Sequence, residues 1–193
     1  SFAEKLSICF EIMTSIEYLH FNGYIFRDLK PSNIIIKSDK TSVLIDFSST
    51  KFIDLLNENE FEMTSNIGAY CYTSPEQHST NKYSFSTDVF SIGQIIAFIL
   101  TETQYNNDLR KYLFFNSLYN KCTNKDPIKR VNSSSLINKF YRIIYDKFKS
   151  TLFYNNLIEE RFSKNKNKER IKKTLNNLYK IRIKQIKDFI ENK

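Results

Sequence analysis

The sequence predicts an α+β fold, mostly α, with one small β-hairpin. Three observations predict it. Four segments repeat apolar residues at helical spacing. Two short runs rich in Ile, Val and Leu flank a polar turn. The chain has 193 residues, 41% hydrophobic and 26% charged, which suits one globular domain with a core plus an appendage.

Phe2 to Leu19 carries Leu6, Cys9, Phe10, Met13, Ile16 and Leu19 at the spacing of an amphipathic helix, and Ser1 with Glu4 has capping-box spacing. His20 to Gly23 stops it, with Gly23 suited to the left-handed position that follows a helix. Residues 24–33 read as a loop around Pro31. Ile34 to Lys37 and Ser42 to Phe47 read as two strands about a turn at Ser38–Thr41. The flanks of that hairpin hold Asn33 and Asp46, which brings two oxygen ligands to one side of a site. Residues 49–73 are polar and weakly patterned. They read as a long loop, and such loops within a domain are usually functional. Thr87 to Thr101 is apolar on most faces and is predicted to be a central helix; its run Ile92 to Leu100 is too short to span a bilayer. Tyr112 to Cys122 and Ser133 to Phe148 read as amphipathic helices, joined by a turn-rich stretch, Thr123 to Val131. No internal repeat is visible. Residues 1–149 are expected to form one domain and 150–193 a basic helical tail.

Charge supports that division. The net charge is +8, yet residues 161–193 alone carry +9 and residues 1–160 carry −1. The tail places Ile171, Leu175, Leu178, Ile183, Ile186 and Ile190 along a helical face. Two readings stand: a helix packed on the domain with a solvated basic face, or a contact for an acidic partner, acidic membrane or nucleic acid. Cys9, Cys71 and Cys122 are scattered and odd in number, so neither a disulfide framework nor a zinc site is suggested, and a reducing, intracellular (cytoplasmic) compartment is expected. No signal peptide or transmembrane segment is visible.

Five motifs occur in order. Phe26-Arg27-Asp28-Leu29-Lys30-Pro31-Ser32-Asn33 is the first; in an extended loop Lys30 projects to the same side as Asp28. Asp46-Phe47-Ser48 lies at the end of the second strand, with Asp46 13 residues after Asn33. Gly68-Ala69-Tyr70-Cys71-Tyr72-Thr73-Ser74-Pro75-Glu76 is the third, Thr87-Asp88-Val89-Phe90-Ser91-Ile92-Gly93 the fourth, and Asp126-Pro127-Ile128-Lys129-Arg130 the fifth. Each alone has a bland reading: a polar loop, a strand end, a helix cap, a surface charge. Their order and spacing together resemble the eukaryotic protein kinase family over about residues 2–145, specifically its C-terminal lobe with a Ser/Thr-type catalytic loop.

The resemblance implies transfer of the ATP γ-phosphate to Ser/Thr hydroxyls of a protein substrate, with ATP and Mg2+ as cofactors. That chemistry asks a protein mainly to position groups and neutralise charge. Asp28 and Lys30 would be catalytic, Asp28 accepting the hydroxyl proton and Lys30 offsetting phosphate charge. Lys30, Ser32, Asn33 and Asp46 would contact the cofactor, Asn33 and Asp46 through magnesium, and Phe47 would pack beneath Asp46. Asp88 would accept hydrogen bonds from the catalytic-loop backbone, and Arg130 would pair with Glu76. Arg27 would meet a phosphate on the loop at about 49–73, with Thr64 or Ser65 as acceptor by position; solvated loop hydroxyls are an equal alternative for those two.

The sequence also departs from the family. Gly23, Gly68 and Gly93 are its only glycines, so it contains no glycine-rich phosphate loop. The strand Lys and helix Glu of the N-terminal lobe are absent too. Hence the N-terminal lobe is expected to be missing from this chain, which starts at Ser1: either the full-length protein supplies that lobe, or the protein is truncated. Phe26 replaces His, Ser48 replaces Gly, and Ala69 replaces Thr. Thr101 to Lys111 looks short for the substrate-docking region. A pseudokinase or truncated kinase serving as a binding scaffold is therefore the alternative, and a small-molecule kinase a third.

Overall fold

The apolar stripe read from Phe2 onward becomes α1 (Phe2–Phe21) in the computed structural model, which describes residues 2–53, 61–62, 70–80, 82–101 and 113–148. The chain divides into two compact units, Ser1–Ile143 and Ile144–Lys193. The fold set out here belongs to the first; of the second, only residues 144–148 are described.

Helix α1 buries Leu6, Cys9, Ile12, Met13, Ile16 and Leu19 along one face. Asn22 N and Gly23 N return to carbonyls of its last turn, and Gly23 takes φ +78°, the left-handed conformation that glycine adopts without a Cβ penalty. α1 packs on α3 (Phe85–Thr101), which packs in turn on α4 (Leu113–Cys122). α3 is buried on most of its circumference, as a central helix must be. Its Gly93 sets the distance to α4, because a Cβ there would lie 2.7 Å from Cys122 Cβ and 2.8 Å from Thr123 Cγ2. The last helix among the described residues, α5 (Ser133–Phe148), buries Leu136 and Phe140, the latter against Phe115 of α4 at 5.2 Å between ring centroids.

Three two-stranded antiparallel sheets complete the described fold. β2 (Ile34–Ile36) and β3 (Ser42–Leu44) form the predicted hairpin, with Ile34 opposite Leu44 and Ile36 opposite Ser42. Buried Glu11 of α1 ties it down by accepting from Ser42 N at 2.7 Å and Ser42 Oγ at 3.0 Å. The second strand stops at Leu44 rather than Phe47, since Asp46 turns to φ +59° and leaves the extended region. β1 (Tyr24–Ile25) pairs with β4 (Lys51–Phe52), and β5 (Phe61–Glu62) with β6 (Lys82–Tyr83). The stretch expected as one loop, 49–73, thus contains two short strands and a 3-10 turn at Tyr70–Tyr72. Two-residue strands owe their pairing to a distant partner, so local patterning does not announce them.

A short helix, α2 (Pro75–Thr80), was likewise not expected; six residues are too few to show a period. Its start is well specified. Pro75 takes the first helical position, and Gln77 Oε1 accepts from Ser74 N at 2.8 Å and Ser74 Oγ at 2.9 Å. The fold is α+β and mostly helical, as the sequence predicts. Ser1, Tyr112, all of Thr101–Lys111 after its first residue, and the basic tail from residue 150 lie outside the described residues. Among the described residues no helix is long and apolar enough to cross a membrane.

Candidate active site

The site is built on the segment between β1 and β2, which runs on top of buried Phe26 and Leu29. Asp88, in the first turn of α3, holds this segment by its backbone. One carboxylate oxygen accepts from Phe26 N at 2.7 Å, and the other from Arg27 N at 2.8 Å. His20 Nε2 lies 2.9 Å from the first of these oxygens. Arg27 is forced to φ +75°, a conformation that costs an ordinary residue of order 1–3 kcal/mol and persists where surroundings over-determine it.

Asp28 is 7% exposed. Its Oδ2 accepts from Lys30 Nζ at 2.7 Å and from Asn33 Nδ2 at 3.0 Å. Its Oδ1 is buried and has no hydrogen-bond partner. Asn33 Nδ2 also donates to Asp28 O at 2.8 Å, which fixes the orientation of the amide, since both its neighbours are acceptors. The carbonyl oxygen of Asn33 is therefore turned away from Asp28. Pro31 opens the 3-10 turn Pro31–Asn33 that carries Asn33 into place, while Ser32 on the same turn is exposed.

The β2–β3 hairpin brings Asp46 alongside. Ile45 N donates to Asn33 O at 2.9 Å, so Asp46 stands one residue past the position opposite Asn33. Asp46 is exposed, and its Oδ1 accepts from Ser48 N at 3.2 Å and from Ser48 Oγ. Phe47 meets Phe26 edge-on at 5.4 Å between centroids. Among the described residues no cluster of three His, Cys, Asp or Glu forms a metal cage. The donor set nonetheless suits magnesium, which takes one or two protein oxygens and completes its shell with phosphate and water.

Glu76 and Arg130 come together although they are 54 positions apart. Arg130 Nη1 and Nη2 donate to the two Glu76 oxygens at 2.5 and 2.7 Å, and the guanidinium also reaches Asn124 O at 2.8 Å and Ser86 O at 3.0 Å. Burial pushes the Glu76 carboxyl up, but the Arg130 hydrogen bonds and charge outweigh it and hold the group below its ordinary value. Arg27 is also buried. It stacks over Tyr83 at 4.3 Å and donates Nη1 to Ser49 O at 3.2 Å, leaving Nε and Nη2 without hydrogen-bond partners. Thr64, Ser65 and Ala69 lie outside the described residues.

Residues 3–190 match the family model of the protein kinase domain. The chain belongs to the protein kinase domain family. A probable LIM domain-containing serine/threonine-protein kinase of Dictyostelium discoideum is 36% identical over 104 residues, 53% of this chain and 15% of that protein. The interferon-induced, double-stranded RNA-activated protein kinase of Mus musculus is 31% identical over 142 residues, 66% of this chain and 27% of that protein. The eukaryotic translation initiation factor 2-alpha kinase 3 of Bos taurus is 35% identical over 107 residues, 49% of this chain and 10% of that protein. The chain thus corresponds to less than a third of the length of each of these relatives.

Within this kinase domain, residues that sequence motifs passed over hold the site together. His20 read only as part of a helix stop, yet it supports Asp88. The signal was available: four residues after buried Ile16, His20 continues the apolar face of α1. Gln77 adds a long contact from Nε2 to Arg27 O at 3.4 Å, linking α2 to the loop.

Proposed function

We propose that this chain is the C-terminal lobe of a Ser/Thr-type protein kinase, which transfers the γ-phosphate of ATP to protein hydroxyls. The observation that carries this reading is the Asp28 carboxylate. One of its oxygens is engaged by Lys30 and Asn33, and the other is buried and without a partner. A carboxylate held in one orientation with a spare acceptor oxygen is what a general base for a hydroxyl proton requires. Lys30 keeps a positive charge beside it, where charge on the transferred group is to be offset. Asn33 and Asp46 would hold magnesium through side-chain oxygens, and the ion when bound would screen the phosphates. Ser32 lies on the same turn for contact with the cofactor. The rest of the nucleotide site would come from an N-terminal lobe outside this sequence. The proposed lobe is residues 1–149, followed by a basic helical tail at 150–193 whose lysines suit an acidic partner. An intracellular, cytoplasmic setting is part of the same reading.

Arg27 fits the regulatory role read from the sequence. Two buried N–H groups without partners are costly, and a phosphate at Thr64 or Ser65 would satisfy them with charge-assisted bonds. If a Thr64→Ala/Ser65→Ala variant keeps full activity, that role is wrong.

The scaffold alternative has one observation in its favour: Ser48 places both its amide and its hydroxyl on Asp46 Oδ1, competing with a cation for that oxygen. An ATP–magnesium phosphotransfer assay on the full-length protein separates the two readings. Activity that disappears in Asp28→Asn supports the enzyme; an equal signal from variant and wild type sinks the catalytic role.

A further inference from the structure

We propose that Ser133, at the start of α5, is a positioning residue for the catalytic loop, acting through His20 and Asp88. The proposal rests on the reading of residues 26–33 as that loop. The loop backbone hangs on the Asp88 carboxylate through Phe26 N and Arg27 N, so its placement depends on what holds the carboxylate itself. Among side chains, the donor on Asp88 is His20 Nε2. A carboxylate only accepts, so Nε2 carries a hydrogen whatever the charge of the ring. The other ring nitrogen, Nδ1, lies 3.2 Å from Ser133 Oγ. A hydroxyl both donates and accepts, so this contact can be made to a bare or a protonated Nδ1.

Phe85 lies against the His20 ring at 4.8 Å and 54°. Beside both opens a cleft of about 280 Å³, bordered by His20, Phe85, Val89, Arg130 and Ser133. Ser133 borders the same cleft, and its hydroxyl meets the second ring nitrogen and so restrains rotation of the ring. All three members of the chain are buried, with Asp88 fully enclosed. α5 thereby reaches Asp88 through two hydrogen bonds that span 113 and 68 positions of sequence, and Asp88 passes the link to the loop backbone.

The test uses the full-length protein with Ser133→Ala and Ser133→Thr, and two readouts that need no phosphotransfer: amide hydrogen exchange at Phe26 and Arg27, and the imidazole nitrogen spectrum of His20. Ser133→Ala is expected to speed exchange at both amides about fivefold, the ratio matching one net hydrogen bond of about 1 kcal/mol, and to move the Nδ1 resonance. Ser133→Thr keeps a hydroxyl and is expected to restore both. Exchange within twofold of wild type in Ser133→Ala overturns the proposal, as does a loss in Ser133→Thr equal to that in Ser133→Ala. Should the alanine variant not fold, the wild-type spectrum still decides: a His20 whose Nδ1 shows no hydrogen bond, or whose Nε2 lacks a hydrogen, rules the link out. A protein without kinase activity can pass this test, and an active kinase can fail it.

Discussion

Replacing Arg130 by Met asks how much the fold depends on one buried ion pair. The Arg130 side chain is 0% exposed and that of Glu76 13%. Met roughly fills the stem volume but removes both bonds to Glu76 and the bonds to Asn124 O and Ser86 O. What remains is a largely buried carboxylate that has lost the Arg130 guanidinium. Removing one partner of a buried pair costs about 3–5 kcal/mol, and the residual exposure of Glu76 puts this site near the low end, about 3 kcal/mol. That is a large share of a typical domain stability of about 5–15 kcal/mol. In urea unfolding followed by far-ultraviolet circular dichroism, a slope of about 2 kcal/mol/M turns the loss into a midpoint drop of about 1.5 M. Glu76→Gln/Arg130→Met removes the stranded charge as well and should be more stable than Arg130→Met alone. A loss under about 1 kcal/mol in Arg130→Met, or a double variant no better than the single, refutes the reasoning.

The same pair predicts a pH dependence. The folded-state pKa of Glu76 is depressed, so its stabilisation is complete above the unfolded carboxylate value of about 4.3 and is lost as pH falls through the lower folded value. An acid unfolding curve of wild type should fall more steeply below about pH 4.3 than that of Arg130→Met; parallel curves would contradict this. Gly93→Ala should destabilise by about 1–3 kcal/mol in thermal or urea unfolding, because its Cβ meets Cys122 and Thr123 in the α3–α4 contact. An unchanged midpoint would show that α4 moves away freely. Burial raises the Cys9 thiol well above its usual range and pushes Cys122 up to about 12, while Cys71 is only half-buried. A thiol reagent at pH 7 should label Cys71 first in the folded protein. Equal labelling of all three cysteines would mean that the core opens on the time scale of the reaction.

Some of this architecture is legible in the amino-acid sequence. α1 and α3 follow from apolar spacing, since a helix that must bury one face or all faces writes that need into every third or fourth residue. The hairpin follows from two β-rich runs about a polar turn, and with it the neighbouring placement of Asn33 and Asp46. Other features were silent. The β1–β4 pair consists of two-residue strands, whose partner is chosen by where α1 and the loop deliver them. The start of α2 is specified by Ser74, Pro75 and Gln77, a capping pattern attached to a helix too short to show a period.

The sequence by itself determined the helical class, the hairpin and the order and spacing of the motif residues, because these depend on interactions between positions close in the chain. Only the tertiary structure decided how the carboxylate of Asp28 is shared between Lys30 and Asn33, and that His20 joins the loop backbone on the Asp88 carboxylate. It alone brought Ser133 to the far side of the same ring. Partners separated by 60 to more than 100 positions meet only when packed helices bring them within 3 Å or so, and at that range small shifts in packing, which no local pattern encodes, decide whether a hydrogen bond forms.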